Sequence, residues 1–146
     1  MFKKLFSLFA ALTLSVGLWA ENSVITFTST SKLYPVDIEE LWADVMMEDG
    51  AKWAAFKAQY PEFAHIDNPH ELKMMGFGFF NPNCFLDANG QVLNYTYNYD
   101  ESTHAGTITV NGELVKIAGS AFSDCTALTS ITLPEGLTSI GRNSFV

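Results

Sequence analysis

The sequence predicts an α+β protein in which a mixed helix and hairpin region precedes a short solenoid of strand-and-turn coils. Three observations lead to this fold class. The last forty-odd residues repeat with a period of 23 residues, which is typical of stacked coils. Residues 38–46 place apolar side chains at helical spacing. An Asn-Gly pair at residues 89 and 90 separates two β-type segments, as in the turn of a hairpin.

The repeat occupies residues 105–146. Ile108-Thr109-Val110 returns as Ile131-Thr132-Leu133, 23 residues later. In each strand, two apolar side chains alternate around a threonine and therefore share one face. Pro134 ends the second strand, because proline has no N–H to donate to a sheet. The spacing of Leu137 and Ile140 predicts a tight turn or 3₁₀ segment that returns along the other side.

The second coil supplies a set of apolar groups that are predicted to point inward. They are Leu128, Ile131, Leu133, Leu137, Ile140 and Phe145. Each is expected to contribute roughly 1.5–3 kcal/mol when fully buried, but only a neighbouring coil can bury them. Stable arrays usually need about three repeats, and residues 105–146 hold about one and a half coils. We therefore expect a truncated array whose last coil is open.

The spacing of the anchor residues carries a family resemblance. From Leu128 the sequence follows Leu-x-x-Ile-x-Leu-Pro-x-x-Leu-x-x-Ile-Gly-x-x-x-Phe, and from Ala121 it follows Ala-Phe-x-x-Cys-x-x-Leu. Residues 107–114 have the form of a degenerate first coil, and residues 24–28 that of the opening of a mature chain. The pattern resembles the BspA-type leucine-rich repeat of bacterial surface proteins. The resemblance implies a secreted or surface-displayed binding or adhesion protein that is not an enzyme and uses no cofactor.

The first twenty residues are typical of a secretory signal peptide. Lys3 and Lys4 precede an apolar stretch, residues 5–18, which is too short to span a bilayer comfortably. Ala20 ends the segment with a small residue suited to cleavage. We therefore expect a secreted or cell-surface protein that meets the membrane only through this leader. An uncleaved anchor is the alternative.

Residues 21–104 are predicted to form a cap or insert with two helices and a β-hairpin. After a strand at residues 23–30, Asp37 is expected to cap the first helix. The apolar stripe of that helix is Ile38, Leu41, Trp42, Val45 and Met46, and its exposed face is Glu39, Glu40 and Asp44. A second helix is predicted at residues 51–59, before Pro61. The helices either cover the open end of the solenoid core or form a small fused module.

The candidate ligand-binding residues are Tyr95, Tyr97, Tyr99, Thr109 and Thr132. The tyrosines follow the predicted hairpin and alternate onto one face. They form either a flat stacking platform for a glycan or peptide, since tyrosine combines a large area with a polar tip, or a cover over the edge of the core. The two threonines occupy equivalent outward positions in the repeat, which predicts a threonine ladder on one sheet face.

No catalytic or metal site is predicted. His65, Asp67 and His70 lie close together in sequence, but their spacing matches no zinc motif, so a solvated loop is expected. Asp87 and Asn89 lack the further ligands of a calcium loop, so a turn is expected there. The chain's net charge of −8 argues against nucleic acid and anionic membranes as partners. A protein or glycan ligand is expected instead.

The two cysteines, Cys84 and Cys125, admit two interpretations. An exported protein can form a disulfide. Cys125, however, falls at the small buried position of the repeat, where the resembled family also places a cysteine. Free thiols are therefore the preferred prediction. A nucleophilic Cys84 with His104 as its base is disfavoured, because no helix start is expected there to lower the pKa of the thiol.

Three functional hypotheses remain, and they belong to different classes. The first is an exported, non-catalytic interaction or adhesion protein that uses a leucine-rich-repeat surface. The second is an assembly protein that docks end to end, by self-association through its open C-terminal coil. The third is a metal-dependent hydrolase in the helical insert around residues 65–71.

Overall fold

The computed structural model describes residues 22–145. The predicted signal peptide, residues 1–20, lies outside them. In chain order, the strands are β1 (Ser23–Ser29), β2 (Leu33–Pro35), β3 (Gly78–Phe80), β4 (Phe85–Leu86), β5 (Tyr95–Asp100), β6 (Ala105–Val110), β7 (Lys116–Ile117), β8 (Leu128–Thr132) and β9 (Ser139–Ile140). The α-helices are α1 (Ile38–Met47), α2 (Ala51–Gln59) and α3 (Glu71–Met74), and a 3₁₀ turn spans Pro61–Phe63. The mixed helix and strand content confirms the α+β class.

The largest sheet has the strand order β5-β6-β1-β8. β1 runs antiparallel to both of its neighbours, pairing Ile25 with Ile108 of β6 and Phe27 with Ile131 of β8. The two strands predicted to be successive coils, β6 and β8, are therefore parallel to each other but not adjacent. The prediction of direct stacking is wrong here, because the N-terminal strand fills the position between them. The apolar alternation of β1 suits it to this central place.

On the other side of the coils, the 23-residue stack is present. β7 and β9 are parallel neighbours, with Lys116 opposite Ser139 and Ile117 opposite Ile140. Each of these pairs is 23 residues apart in the sequence. The backbone conformation repeats as well, since Ser120 and Asn143 have φ values of 60° and 61°. The segment predicted as a tight turn or 3₁₀ segment thus ends in the short strand β9.

Gly141 permits this stack by its size. A Cβ at Gly141 would lie 2.3 Å from the backbone nitrogen of Gly119 in the preceding coil. The rings of Phe122 and Phe145 then stack with centroids 5.3 Å apart. The two coils therefore touch backbone to backbone, and only glycine leaves room for that approach.

Two hydrophobic cores lie on either side of the β2–β3 pair. Successive residues of a strand point in opposite directions, so Leu33 and Phe80 enter the core of the coils whereas Tyr34 and Phe79 enter the core of the helices. The helical core has no member from residues 105–145. Of the two alternatives, the small fused module is the one that this arrangement favours.

The first helix begins as expected but differs on one face. Asp37 Oδ1 accepts hydrogen bonds from the backbone N–H groups of Glu39 and Glu40, which is the predicted N-cap. Asp44, which we assigned to the exposed face, is instead buried. Its Oδ2 accepts the N–H groups of Lys52 and Trp53 at 2.9 and 3.2 Å. The carboxylate thereby caps α2, whose own N-cap residue is a glycine.

The second coil is less buried than the first. In the first coil Ile108, Leu114 and Ile117 are almost fully buried, as predicted. In the second coil Ile140 is 47% exposed and Phe145 is 41% exposed, although both were predicted to point inward. The difference arises because no described element packs on the outer side of β8 and β9, which are the last strands of their sheets.

Both cysteines are free thiols. Burial raises the pKa of Cys84 to about 12 and also raises the pKa of Cys125. We therefore expect both thiols to stay protonated at pH 8 and to react slowly with iodoacetamide, since the thiolate is the nucleophile. Mass spectrometry should show alkylation of both cysteines in urea and of neither in the folded protein. Rapid labelling of the folded protein would contradict this placement.

Candidate functional site

The outer face of the β5-β6-β1-β8 sheet is rich in threonine. Its inner face carries the buried residues of β1 and β6, so the alternate residues of each strand point outward. We call this outer surface the threonine face. Its residues are Thr96, Asn98, Asp100, Ala105, Thr107, Thr109, Val24, Thr26, Thr28, Ser130 and Thr132.

The strand registers align these residues in rows. One row crosses all four strands through Asn98, Thr107, Thr26 and Thr132. A second row crosses them through Asp100, Ala105, Thr28 and Ser130. Neighbouring strands lie about 4.8 Å apart, so each row is a regular line of short polar side chains. The face is therefore a continuous polar surface rather than a scatter of hydroxyl groups.

The threonine ladder has a different composition from the predicted one. Thr109 and Thr132 share the face, but Thr109 lies in a third row with Thr96 and Val24, one row from Thr132. Sequence reasoning missed the contributions of β1 and β5, since it considered only the repeat. A signal existed in residues 24–28, where the outward positions of an alternating strand are held by valine and threonine.

The three candidate tyrosines lie on the opposite face of the same sheet. The rings of Tyr97 and Tyr99 stack on Phe27 with centroids 6.1 and 6.3 Å away, and the ring of Tyr95 meets Phe80 edge-on at 5.7 Å. All three are half-buried. They thus cover the edge of the core, which was the second of our two interpretations. Their participation in ligand binding stays a prediction.

The hydroxyl groups of two of these tyrosines already have protein partners. The Tyr97 hydroxyl accepts the N–H of Leu33 at 2.7 Å, and the Tyr99 hydroxyl donates to the carbonyl of Ser29 at 3.1 Å. Burial raises the pKa of Tyr95 and of Tyr97 to about 12. The tyrosines therefore tie β5 to the β1–β2 connection as neutral groups.

A depression of about 550 Å³ opens on the threonine face at the turn between β5 and β6. Its lining includes Asn98, Asp100, Glu101, Thr103 and Thr107. No cationic side chain is among its lining residues. Hydrogen bonds from the Ser102 hydroxyl and backbone N–H to Asp100 Oδ1, at 2.7 and 2.8 Å, lower the pKa of that carboxyl group. The depression therefore combines an ionised carboxylate with hydroxyl and amide groups.

The residues weighed for metal or catalytic roles are not brought together. Within residues 22–145, no group of three or more His, Cys, Asp or Glu side chains is arranged to hold a metal ion. His65 and Asp67 are exposed. Asp87 Oδ1 accepts the N–H groups of Asn89 and Gln91, as in the predicted turn. The raised pKa of Cys84 is the opposite of what a nucleophile requires.

His70 lies in a structural cluster and not in a solvated loop. Its ring stacks on Trp42 at 4.6 Å, and its Nε2 lies 3.3 Å from the carboxylate of Glu39. Lys73 Nζ contacts the same carboxylate at 2.7 Å and Asp124 Oδ2 at 3.4 Å. Because Asp124 belongs to the coils, this cluster joins the helical module to the repeat region.

None of the helices among the described residues has the length and apolar character that crossing a membrane requires. No match was found among curated proteins or among solved structures. One family model matches, described as "BspA type Leucine rich repeat region (6 copies)", over residues 92–146. The match starts before Ala105, where the sequence repeat begins, and takes in β5. The C-terminal part of this chain, residues 92–146, is thus a BspA-type leucine-rich repeat region.

Proposed function

We propose that this chain is an exported, non-catalytic interaction protein that holds its partner against the threonine face. BspA-type repeats are typically surface and protein-interaction repeats, and they are generally not enzymes. The matched segment supplies β5, β6 and β8, which are three of the four strands of that face. Export is inferred from the basic and apolar pattern of residues 1–20. Together these features support adhesion at a cell surface or in the medium.

One observation carries the proposal: a row of polar side chains that crosses all four strands. Asn98, Thr107, Thr26 and Thr132 come from four separate chain segments but reach one surface. The backbone of a sheet fixes their positions, so little conformational entropy is lost when a partner binds. Repeat proteins commonly bind through such extended surfaces.

The test is adhesion of protein-coated beads to cultured epithelial cells. Replacing Thr26, which lies at the centre of the row, by arginine should reduce bead retention about tenfold or more, because a long charged side chain would project from the centre of the face. Ala55→Arg on the exposed side of α2 is the matched control and should retain beads like the wild type. Equal retention by all three proteins would contradict the proposal.

A second candidate function is self-assembly through the open coil, which the exposure of Ile140 and Phe145 favours. β8 and β9 are edge strands, and an unpaired edge is a template for another strand. The segment 128–145 contains one acidic residue, Glu135, and one basic residue, Arg142. Two copies would therefore meet there with little charge repulsion, in a two-fold pairing of like surfaces.

Sedimentation velocity tests this second candidate. The wild-type protein should be dimeric at about 100 μM, and Phe145→Glu should make it monomeric, because a buried unpaired carboxylate opposes association. Met47→Glu, at an apolar side chain that is 82% exposed on α1, should leave the dimer intact. A wild-type monomer at this concentration would contradict self-assembly.

A further inference from the structure

The geometry points to a neutral, polyhydroxylated saccharide as the ligand of the threonine face, seated in the depression at the β5–β6 turn. This inference rests on the proposed function and names the class of partner for the same surface. Three features carry it: the chemistry of the face, the contents of the depression and the sign of its charge.

The face lacks the side chains that anchor protein partners. Tight protein interfaces concentrate their binding energy in tryptophan, tyrosine and arginine, whereas threonine and serine are under-represented. Six of the eleven residues of the face are threonines, and its aromatic neighbours on β5 point to the core. Each threonine hydroxyl both donates and accepts hydrogen bonds. A surface of this kind is complementary to a ligand that presents many hydroxyl groups of its own.

The depression adds convergent polar groups to this surface. Its volume of about 550 Å³ lies within the 300–1,000 Å³ that is usual for ligand sites. The Asn98 amide and the carboxylates of Asp100 and Glu101 are its strongest acceptors, and Thr103 and Thr107 supply hydroxyl groups. Asp100 is committed to the turn through Oδ1. Carboxylate and amide oxygens in such an arrangement accept hydrogen bonds from adjacent hydroxyl groups of a sugar ring.

The charge of the site selects among saccharides. Two carboxylates and no cation line the depression, and the chain as a whole carries a net charge of −8. Anionic polymers such as polyuronates or sulfated glycans would be repelled, because like charges that meet on binding are destabilising. Neutral sugars, with or without N-acetyl groups, meet no such barrier.

Isothermal titration calorimetry tests the site with defined probes. Cellohexaose, mannohexaose and chitohexaose are titrated into the wild-type protein, with polygalacturonate as the anionic comparison. At least one neutral hexasaccharide should bind with a Kd below about 1 mM, and polygalacturonate should not bind. Glu101→Gln and Thr107→Val should each weaken binding about tenfold. The matched controls Glu135→Gln and Thr132→Val lie outside the depression and should change affinity by less than about twofold.

Treatment of the cell layer separates the failure of this inference from the failure of the proposed function. Periodate cleaves vicinal diols and should abolish bead retention, whereas protease treatment should leave most of it. Retention that protease abolishes and periodate spares would overturn the saccharide and identify a protein partner, while adhesion through the face would stand. Absence of binding by all three neutral hexasaccharides, or equal binding by the Glu101 and Thr107 variants, would also overturn the inference.

Discussion

Replacing Phe27 by alanine is expected to lower the free energy of unfolding by about 3–5 kcal/mol, the range for deleting a buried phenylalanine ring. Phe27 is 3% exposed at the centre of β1. Its ring covers Gly106, where a Cβ would lie 2.1 Å from the ring. It also stacks on Tyr97 and Tyr99. Its removal therefore leaves a cavity beneath three strands of the large sheet.

Urea denaturation measures this effect, and Val24 of the same strand provides the control. Val24 points outward and is 46% exposed, so Val24→Ala should cost less than about 0.5 kcal/mol, as for most surface substitutions. The contrast tests whether β1 is a central strand with one buried face. Similar losses for the two variants would contradict that placement.

Replacing Gly141 by alanine is expected to destabilise the protein by about 2 kcal/mol or more. The added Cβ would meet the backbone nitrogen of Gly119 at 2.3 Å, and backbone atoms cannot rotate away as a side chain can. The two coils would have to separate, which costs typically 1–3 kcal/mol in overpacked sites. The hydrogen bond from Gly141 N–H to the carbonyl of Ile117, 2.7 Å long, would lengthen as a result.

Gly119→Ala provides a graded comparison for the same contact. There the nearest atom to an added Cβ is the carbonyl oxygen of Arg142 at 3.1 Å, so a shift of a few tenths of an ångström relieves the contact. We expect a smaller loss of stability than for Gly141→Ala, measured by urea denaturation under the same conditions. The reverse order would show that the coils do not stack through Gly141.

Local elements were predictable because their signals are local. The cap at Asp37, the stop at Pro61 and the turn at Asn89-Gly90 each depend on residues within a few positions, and the structure places all three as expected. The stacking of β7 on β9 was also predictable, since the 23-residue period is printed twice in the sequence. These signals fixed most element positions in residues 22–145.

The position of β1 was not predictable from the repeat. Its alternating pattern predicts a strand but not a partner, and β6 and β8 appeared to be each other's neighbours. The choice depends on contacts far apart in sequence, such as Ser29 with Leu128. The threonine face was therefore only partly foreseen: Thr109 and Thr132 were named, whereas Thr26 and Thr107 come together only when β1 enters the sheet.

Burial of Asp44 shows the same limit at a smaller scale. Helical spacing assigned its carboxylate to the polar face of α1, and the next helix begins with residues that have no side-chain cap of their own. The carboxylate turns inward to accept the N–H groups of Lys52 and Trp53. An amphipathic pattern distinguishes polar from apolar residues, but it does not show which polar group a neighbouring helix will need.

The central claim is that β1 separates the two repeat strands, and engineered disulfides test it most directly. Thr26 and Thr132 are directly opposite each other, so their Cα atoms should lie about 4.5–5.5 Å apart, within the range of a disulfide. Thr109 and Thr132 lie on strands two positions apart, about 10 Å, which is too far. Oxidation of the Thr26→Cys/Thr132→Cys protein should form a bridge, detected by mass spectrometry, and the Thr109→Cys/Thr132→Cys protein should stay reduced. A bridge in the second protein and none in the first would show that the coils stack directly and contradict the account.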